Sequence, residues 1–289
     1  MADPQPPSNP PRLAAVNLHR QRISFLGWRP DKPDVRDVAY ALDRKAGAPD
    51  VPMHWLNSEF LPPIRDQGQQ GSCTGHSTRT AVQFRLAKER KRPLEEISPR
   101  FIYYNARLIE GTTNQDGGAE IRDAVKGVAK LGATTEALCP YDENVYAQRP
   151  SPSAYREAKG DLVVSYKRLD ATQDASSRQP AVKQALLNGD PVVFGFTVYE
   201  NFMDDETAAT GNMGLPVGKV EGGHAVCIIG YNDNHQGRGW QGGVQIANSW
   251  GPDWGCKGPN GQGGYFWMPW QLVSDPNFCD DLWAIDNVN

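Results

Sequence analysis

Apolar residues recur at helical spacing through the first half of the chain and in short continuous runs through the second. From about Thr74 to Arg90, the residues Ala81, Val82, Leu86 and Ala87 can share one face, and Lys88, Glu89 and Arg90 sit near the end of the run. Ser98 stands before Pro99, a capping residue ahead of a proline at the first helical position, and predicts a second helix through Phe101 to Arg107. Ile121, Ala124, Val125, Val128 and Leu131 fall three and four residues apart and predict a third, stopped by Gly132. After about residue 160 the period changes. Residues 162–164, 191–196, 224–230, 243–247 and 264–268 read as short strands between Gly, Asn and Asp clusters, with one helix at 179–188. Helices followed by strands predict an α+β fold of two lobes, with a cleft between them as the place for a site.

Composition narrows the function classes. The chain has 289 residues, room for one large domain or two lobes with a sizeable core. Hydrophobic residues at 39% and charged residues at 22% belong to a globular protein rather than a disordered one. A formal charge of −4 gives no electrostatic reason for a nucleic-acid partner. The longest apolar run, Ala225 to Gly230, is far short of the ~20 residues of a membrane-spanning helix. The N-terminus lacks the pattern of a secretory signal, which leaves cytoplasmic residence and leaderless export both open. Three stretches are expected: an N-terminal extension over 1–50, a mainly helical lobe over 51–160 and a mainly β lobe over 161–289. Within the first, five prolines in residues 1–12 predict an extended tail. Residues 23–31 carry Phe25 and Trp28 without helical period, so they are expected to lie against the rest of the protein.

The five cysteines (Cys73, Cys139, Cys227, Cys256, Cys279) are odd in number, widely spaced and free of CxxC, which argues against a zinc knuckle or a dense disulfide framework. The histidines His19, His54, His76, His224 and His235 lack metal-ligand spacing, so no metal or cofactor is expected. Cys139 and Cys227 read as buried thiols. Trp254, Trp267, Trp270 and Trp283 read as core and cleft wall, Glu95-Glu96 and Asp204-Asp205-Glu206 as solvated charge. Cys73 is different. It opens the longest predicted helix after Gly68, Gly71 and Ser72, where unpaired N–H groups and the positive end of the helix dipole favour thiolate over thiol. His224 follows Gly222-Gly223 at the start of an apolar strand, and Asn248 ends another. A lone cysteine at a helix start is usually a buried small hydrophobe, and a lone histidine usually structural. Together with an amide acceptor they supply what acyl transfer needs: a nucleophile, an activating base and a group to orient it.

Three blocks carry a family resemblance: Asp66-Gln67-Gly68-Gln69-Gln70-Gly71-Ser72-Cys73, Gly223-His224-Ala225-Val226 and Asn248-Ser249-Trp250-Gly251-Pro252-Asp253-Trp254-Gly255. They resemble the signature blocks of papain-family cysteine peptidases, in the family's order of Gln, Cys, His and Asn. His224 and Asn248 follow Cys73 by 151 and 175 residues, more than the roughly 130–150 of that family, and an insertion around Met203 to Gly218 accounts for the excess. The resemblance implies a papain-like two-lobed fold, with a helical lobe and an antiparallel, barrel-like β lobe flanking the active site. It implies cleavage of polypeptide substrates through an acyl-thioester. Cys73 would be the thiolate, His224 its imidazolium partner, Asn248 the residue orienting that ring and Trp250 the shield of their hydrogen bond. Gln67 and the Cys73 N–H would hold the oxyanion. Gly117-Gly118 resembles the glycine pair that binds substrate backbone beside the second specificity pocket, with Ala225 on that pocket's wall.

Departures from the family pattern are specific. Thr74 stands where an aromatic usually follows the nucleophile, and His76 replaces an aromatic on the buried helix face, where a structural role is expected. Gln70 and Gln115 occupy the positions of a family disulfide; whether Cys256 and Cys279 pair is left open. The leader is short, and residues 27–37 are similar to that of a bacterial branch that includes xylellain. This segment is expected to lie along or across the cleft and to limit access to Cys73. Two other readings stay in play: a different thiol acyl-transfer enzyme of amidase or transglutaminase type, and a catalytically silent binding protein that kept the fold.

Overall fold

A computed structural model of the chain describes residues 26–41, 50–91, 94–160, 163–171 and 174–288. The proline-rich tail and Phe25 lie outside the described residues. Helix α1 (Cys73–Arg90) runs through the middle of the helical part. The expected single apolar face is not what forms: residues 73 to 87 are buried nearly all round. Its polar groups find partners instead of water. Arg79 donates to the Pro63 carbonyl at 2.8 Å, and Arg85 reaches Asp190 at 3.0 Å and the Asp286 carbonyl at 2.8 Å. Helix α2 (Pro99–Glu110) starts as its sequence dictates, with Ser98 Oγ accepting the Phe101 N–H and Pro99 in the first turn. Helix α3 (Ile121–Leu131) ends at Gly132, whose φ of 79° suits only glycine well.

The strands form one open antiparallel sheet in the order β2-β7-β3-β4-β5-β6, built from β2 (Val163–Arg168), β3 (Val192–Tyr199), β4 (Val220–Gln236), β5 (Gln241–Ala247), β6 (Tyr265–Pro269) and β7 (Cys279–Val288). A short β1 (Met53–Trp55) pairs with β4, so residues 53–55 join the sheet ahead of the helices. The barrel-like closure expected from the resemblance does not form: β2 and β6 end the sheet unpaired with each other. The further α-helices among the described residues are α4 (Pro152–Ala158), α5 (Ala175–Leu187), α6 (Asp205–Thr210) and α7 (Trp270–Val273). One continuous apolar core joins both parts, running from Val82 and Phe84 of α1 and Val125 and Val128 of α3 to Phe194 and Phe196 of β3 and Trp283 of β7. Cys139 packs in a small second cluster with Phe101, Ala154 and Ala158, and Cys227 lies in the main core. The four tryptophans are buried as expected. All five cysteines are unpaired, Cys256 and Cys279 included. The supposed solvated charges are partly ion-paired: Glu96 takes Arg65 and Arg79, while Asp204 and Glu206 take Arg238.

Candidate active site

Sheet register brings two of the expected residues together. Cys227 of β4 faces Ala247 of β5, so the next residue, Asn248, lies diagonal to His224 at the same end of the sheet. His224 Nε2 meets Asn248 Oδ1 at 2.8 Å, and the Ser249 N–H also donates to that oxygen at 2.8 Å. The Trp250 indole stacks on the imidazole, with ring centroids 4.9 Å apart and planes 28° apart, and closes the pair from one side. The other ring nitrogen, Nδ1, is buried without a hydrogen-bond partner. Cys73 opens α1 nearby, and the backbone N–H of Ala225, the residue after His224, faces its sulfur.

Gln67 belongs to the same constellation. Its Oε1 accepts the Ser249 hydroxyl at 2.6 Å, its Nε2 donates to the Gln70 carbonyl at 2.9 Å, and its own N–H reaches the Ser249 carbonyl at 2.8 Å. Tyr141 supports the loop from outside, donating to the Gln67 carbonyl at 2.7 Å and bonding Ser72 Oγ at 2.7 Å. His76 is structural as expected: its Nδ1 lies 3.1 Å from the Ser72 carbonyl and its ring packs edge-on against Tyr141. Where the resemblance implies a disulfide, a polar brace stands in its place. Tyr103 of α2 donates to Asp116 at 2.6 Å, Asp116 accepts the Gly71 N–H at 3.2 Å, and the Gly118 N–H donates to the Tyr103 hydroxyl at 3.2 Å. Ser249, Tyr141, Tyr103 and Asp116 were not singled out as site residues; only Ser249, lying within a signature block, had a sequence signal.

Residues 26–41 lie against the site as a strap, with Trp28 N–H on the Gly223 carbonyl at 3.0 Å and Ala119 N–H on the Gly27 carbonyl at 2.8 Å. The backbone partner of the strap is thus Ala119, one residue beyond the expected pair. Gly117 stands clear, and Gly118 (φ 77°) is pressed so close to the Gly27 carbonyl that a Cβ there would overlap it. Downstream, Tyr40 and Val38 exchange backbone bonds with Arg168 at 2.8 Å each. Trp28 is the main anchor. Burying an aromatic of this size removes roughly 150–250 Å² from water, worth on the order of 4–6 kcal/mol at about 25 cal/mol per Å². The Arg36–Asp34 pair in the same segment is exposed and screened by water.

Covering changes the chemistry of the pair. Cys73 and His224 are both 0% exposed. Burial pushes the Cys73 thiol up to about 11, against the pull of backbone N–H groups of Ala225, Gly27, Thr74 and Cys73 itself. Burial likewise draws His224 down to about 4, despite its bond to Asn248. At pH 7 the covered pair is therefore thiol and neutral imidazole. Full burial thus opposes the thiolate that a helix start favours, because neither charge is exposed to solvent.

A sequence profile of the papain family of cysteine proteases matches residues 51–270. The chain belongs to that family. Like other papain-family members it is a cysteine peptidase, a hydrolase that acts on polypeptide substrates. It is 35% identical to a peptidase C1-like protein of Acanthamoeba polyphaga mimivirus over 286 residues, spanning 91% of this chain and 87% of that one. The solved structure of xylellain, a cysteine protease from Xylella fastidiosa, superimposes with a TM-score of 0.79 at 33% identity, covering 92% of this chain and 97% of that one. The procathepsin B S9 of Trypanosoma congolense shares the fold at 17% identity, with a TM-score of 0.67 over 87% of this chain and 82% of that one. Among the described residues no helix of this papain-family chain is long and apolar enough to cross a membrane.

Proposed function

We propose that this chain hydrolyses peptide bonds through Cys73 and His224, and that residues 26–41 hold it in a covered, resting form. The observation that carries the reading is the asymmetry of His224. Asn248 fixes Nε2, while Nδ1 stays buried and unpartnered on a ring whose neighbour, Ala225, touches the Cys73 sulfur. Once the strap withdraws, water returns and the thiol proton passes to Nδ1, leaving a thiolate–imidazolium pair stabilised by the start of α1. The thiolate attacks the substrate carbonyl carbon, and the Gln67 amide with the Cys73 N–H receives the oxyanion. The C–N bond breaks as the imidazolium gives its proton to the leaving amine. A water then gives a proton back to His224 and attacks the thioester, releasing the acid and Cys73. Asn248 keeps the ring aligned and Trp250 keeps water off their bond. Gly117, Gly118 and Ala225 line the way in for substrate backbone. In this reading the nucleophile comes from the helical stretch 51–160, and His224 and Asn248 from the stretch 161–289.

The strap reading is supported by its paired backbone on both sides of Trp28 and by the complete burial of Cys73 beneath it. Deletion of residues 1–38 is expected to raise peptidase activity or lower stability; unchanged values of both would remove the strap's role. An epoxysuccinyl thiol reagent is expected to inactivate the enzyme stoichiometrically with its mass on Cys73, and Cys73→Ala to abolish peptide hydrolysis. Labelling on Cys139 or Cys227 instead would overturn the site assignment.

A further inference from the structure

We propose that the slot now filled by Trp28 selects substrates in the open enzyme, and that Gly195, Gly223 and Asp281 make it a pocket for a flat aromatic side chain bearing an N–H donor. Peptides with tryptophan one residue before the one whose carbonyl is attacked are then the preferred substrates. This deepens the catalytic reading above and rests on it.

Position comes first. Gly27, just before Trp28, faces the Cys73 sulfur through its N–H, and Gly223, which receives the Trp28 N–H, directly precedes His224. The slot therefore opens onto the nucleophile. Shape comes next. Gly195 lies in β3 among Val192, Val193, Phe194 and Phe196, all buried side chains, and faces Ala225 across the sheet. A Cβ on Gly195 would run into the ring-fusion carbons and nitrogen of the Trp28 indole, and one on Gly223 would meet its six-membered ring 2.7 Å away. Two missing side chains on neighbouring strands thus make a flat floor as wide as an indole. Chemistry settles the choice of occupant. Asp281 Oδ2 accepts the Trp28 indole N–H at 3.1 Å and the Asp31 N–H at 2.8 Å, while Oδ1 takes Arg168 at 2.9 Å. When the strap leaves, both donors on Oδ2 leave with it, and the acceptor at the end of the slot is left to water or to a donor carried by the substrate. An incoming indole N–H restores the bond; phenylalanine or leucine does not. A substrate cation would meet Arg168 on the same carboxylate.

The test uses the full-length Trp28→Ala chain, in which the slot is vacated, with coumarylamide dipeptides Xaa-Ala in which Xaa is Trp, Phe, Leu, Arg or Ala. The expected order is Trp first, with kcat/KM at least tenfold above Phe, Leu and Arg. Adding Gly195→Ala is expected to lower kcat/KM for the Trp peptide tenfold or more relative to that for the Ala peptide; adding Asp281→Asn is expected to narrow the gap between Trp and Phe. Leu or Arg peptides outrunning Trp, or a Trp preference indifferent to Gly195→Ala, would overturn the pocket while leaving the peptidase reading intact. Hydrolysis of no peptide at all would overturn the peptidase reading and this one with it. A second readout needs no variant: N-acetyl-tryptophanamide, by displacing Trp28 from the wild-type chain, is expected to speed epoxysuccinyl labelling of Cys73 more than N-acetyl-leucinamide does, and the reverse order counts against the proposal.

Discussion

Gln67 shows how a single amide is set before any substrate arrives. The Ser249 hydroxyl fixes its oxygen, which fixes the direction of its NH2 group, and the Tyr141 hydroxyl holds its carbonyl. In the Trp28→Ala background, Gln67→Ala is expected to lower kcat about 10²–10³-fold, the usual cost of one oxyanion donor. Its rate of Cys73 labelling should change little, because alkylation forms no oxyanion; a parallel fall in labelling would mean that Gln67 only supports the loop. The residue types here were legible in the sequence, since a cysteine at a helix start, a histidine behind two glycines and an asparagine before Ser-Trp-Gly are chemically pointed choices. Their protonation was not. The shift of Cys73 upward and of His224 downward comes from burial by groups distant in sequence, Gly27 and Ala225 beside Cys73 among them, and nothing local to either residue encodes that.

At the level of elements, the helices with capping signals were readable where they start and stop, as Ser98-Pro99 and Gly132 show. The face of α1 was not, because its arginines are satisfied by carbonyls and carboxylates from distant segments. β7 (Cys279–Val288) was missed for a related reason: Asp280, Asp281 and Asp286 break its apolar pattern, and the Arg168 guanidinium, paired with the first two, makes them compatible with a strand. The loop before α1 depends on a brace between elements, Tyr103 on Asp116 on Gly71. Tyr103→Phe keeps the ring and removes the hydroxyl, leaving the Gly118 N–H and one carboxylate oxygen without that partner. A loss of about 1–3 kcal/mol is expected by urea unfolding. Since the brace is not covalent and every cysteine is unpaired, dithiothreitol should leave Tm unchanged; a drop on reduction would show a disulfide after all.

Taken as a whole, the molecule holds its strap over a buried patch of charge. Asp31 and Asp37 from the strap meet Arg122 of α3 and Arg168 of β2; Arg168 also holds Asp170, Asp280 and Asp281, and Arg178 of α5 holds Asp170. Carboxylates outnumber guanidiniums there, and burial pushes Asp281 up to about 8, Asp170 up to about 6 and Asp31 upward as well. A folded-state value above the ordinary 3.8 means that the covered form holds protons the released form gives up. Stability of the covered form therefore falls as pH rises from about 4 to about 8. The ratio of Cys73 labelling rates in wild type and Trp28→Ala, which cancels the thiol's own titration, is expected to climb over that range, and Asp281→Asn to flatten the climb. A ratio that falls with pH would contradict this. Sequence alone determined the chemistry on offer and the coarse order of helices before strands, because capping residues, glycines and apolar periods act over a few neighbours. Tertiary structure decided that the sheet stays open, that Trp28 rests on Gly195 and Asp281, and that burial favours the neutral thiol of Cys73. Those outcomes depend on which distant groups exclude water from one another, and that is a property of the packed molecule rather than of any stretch of chain.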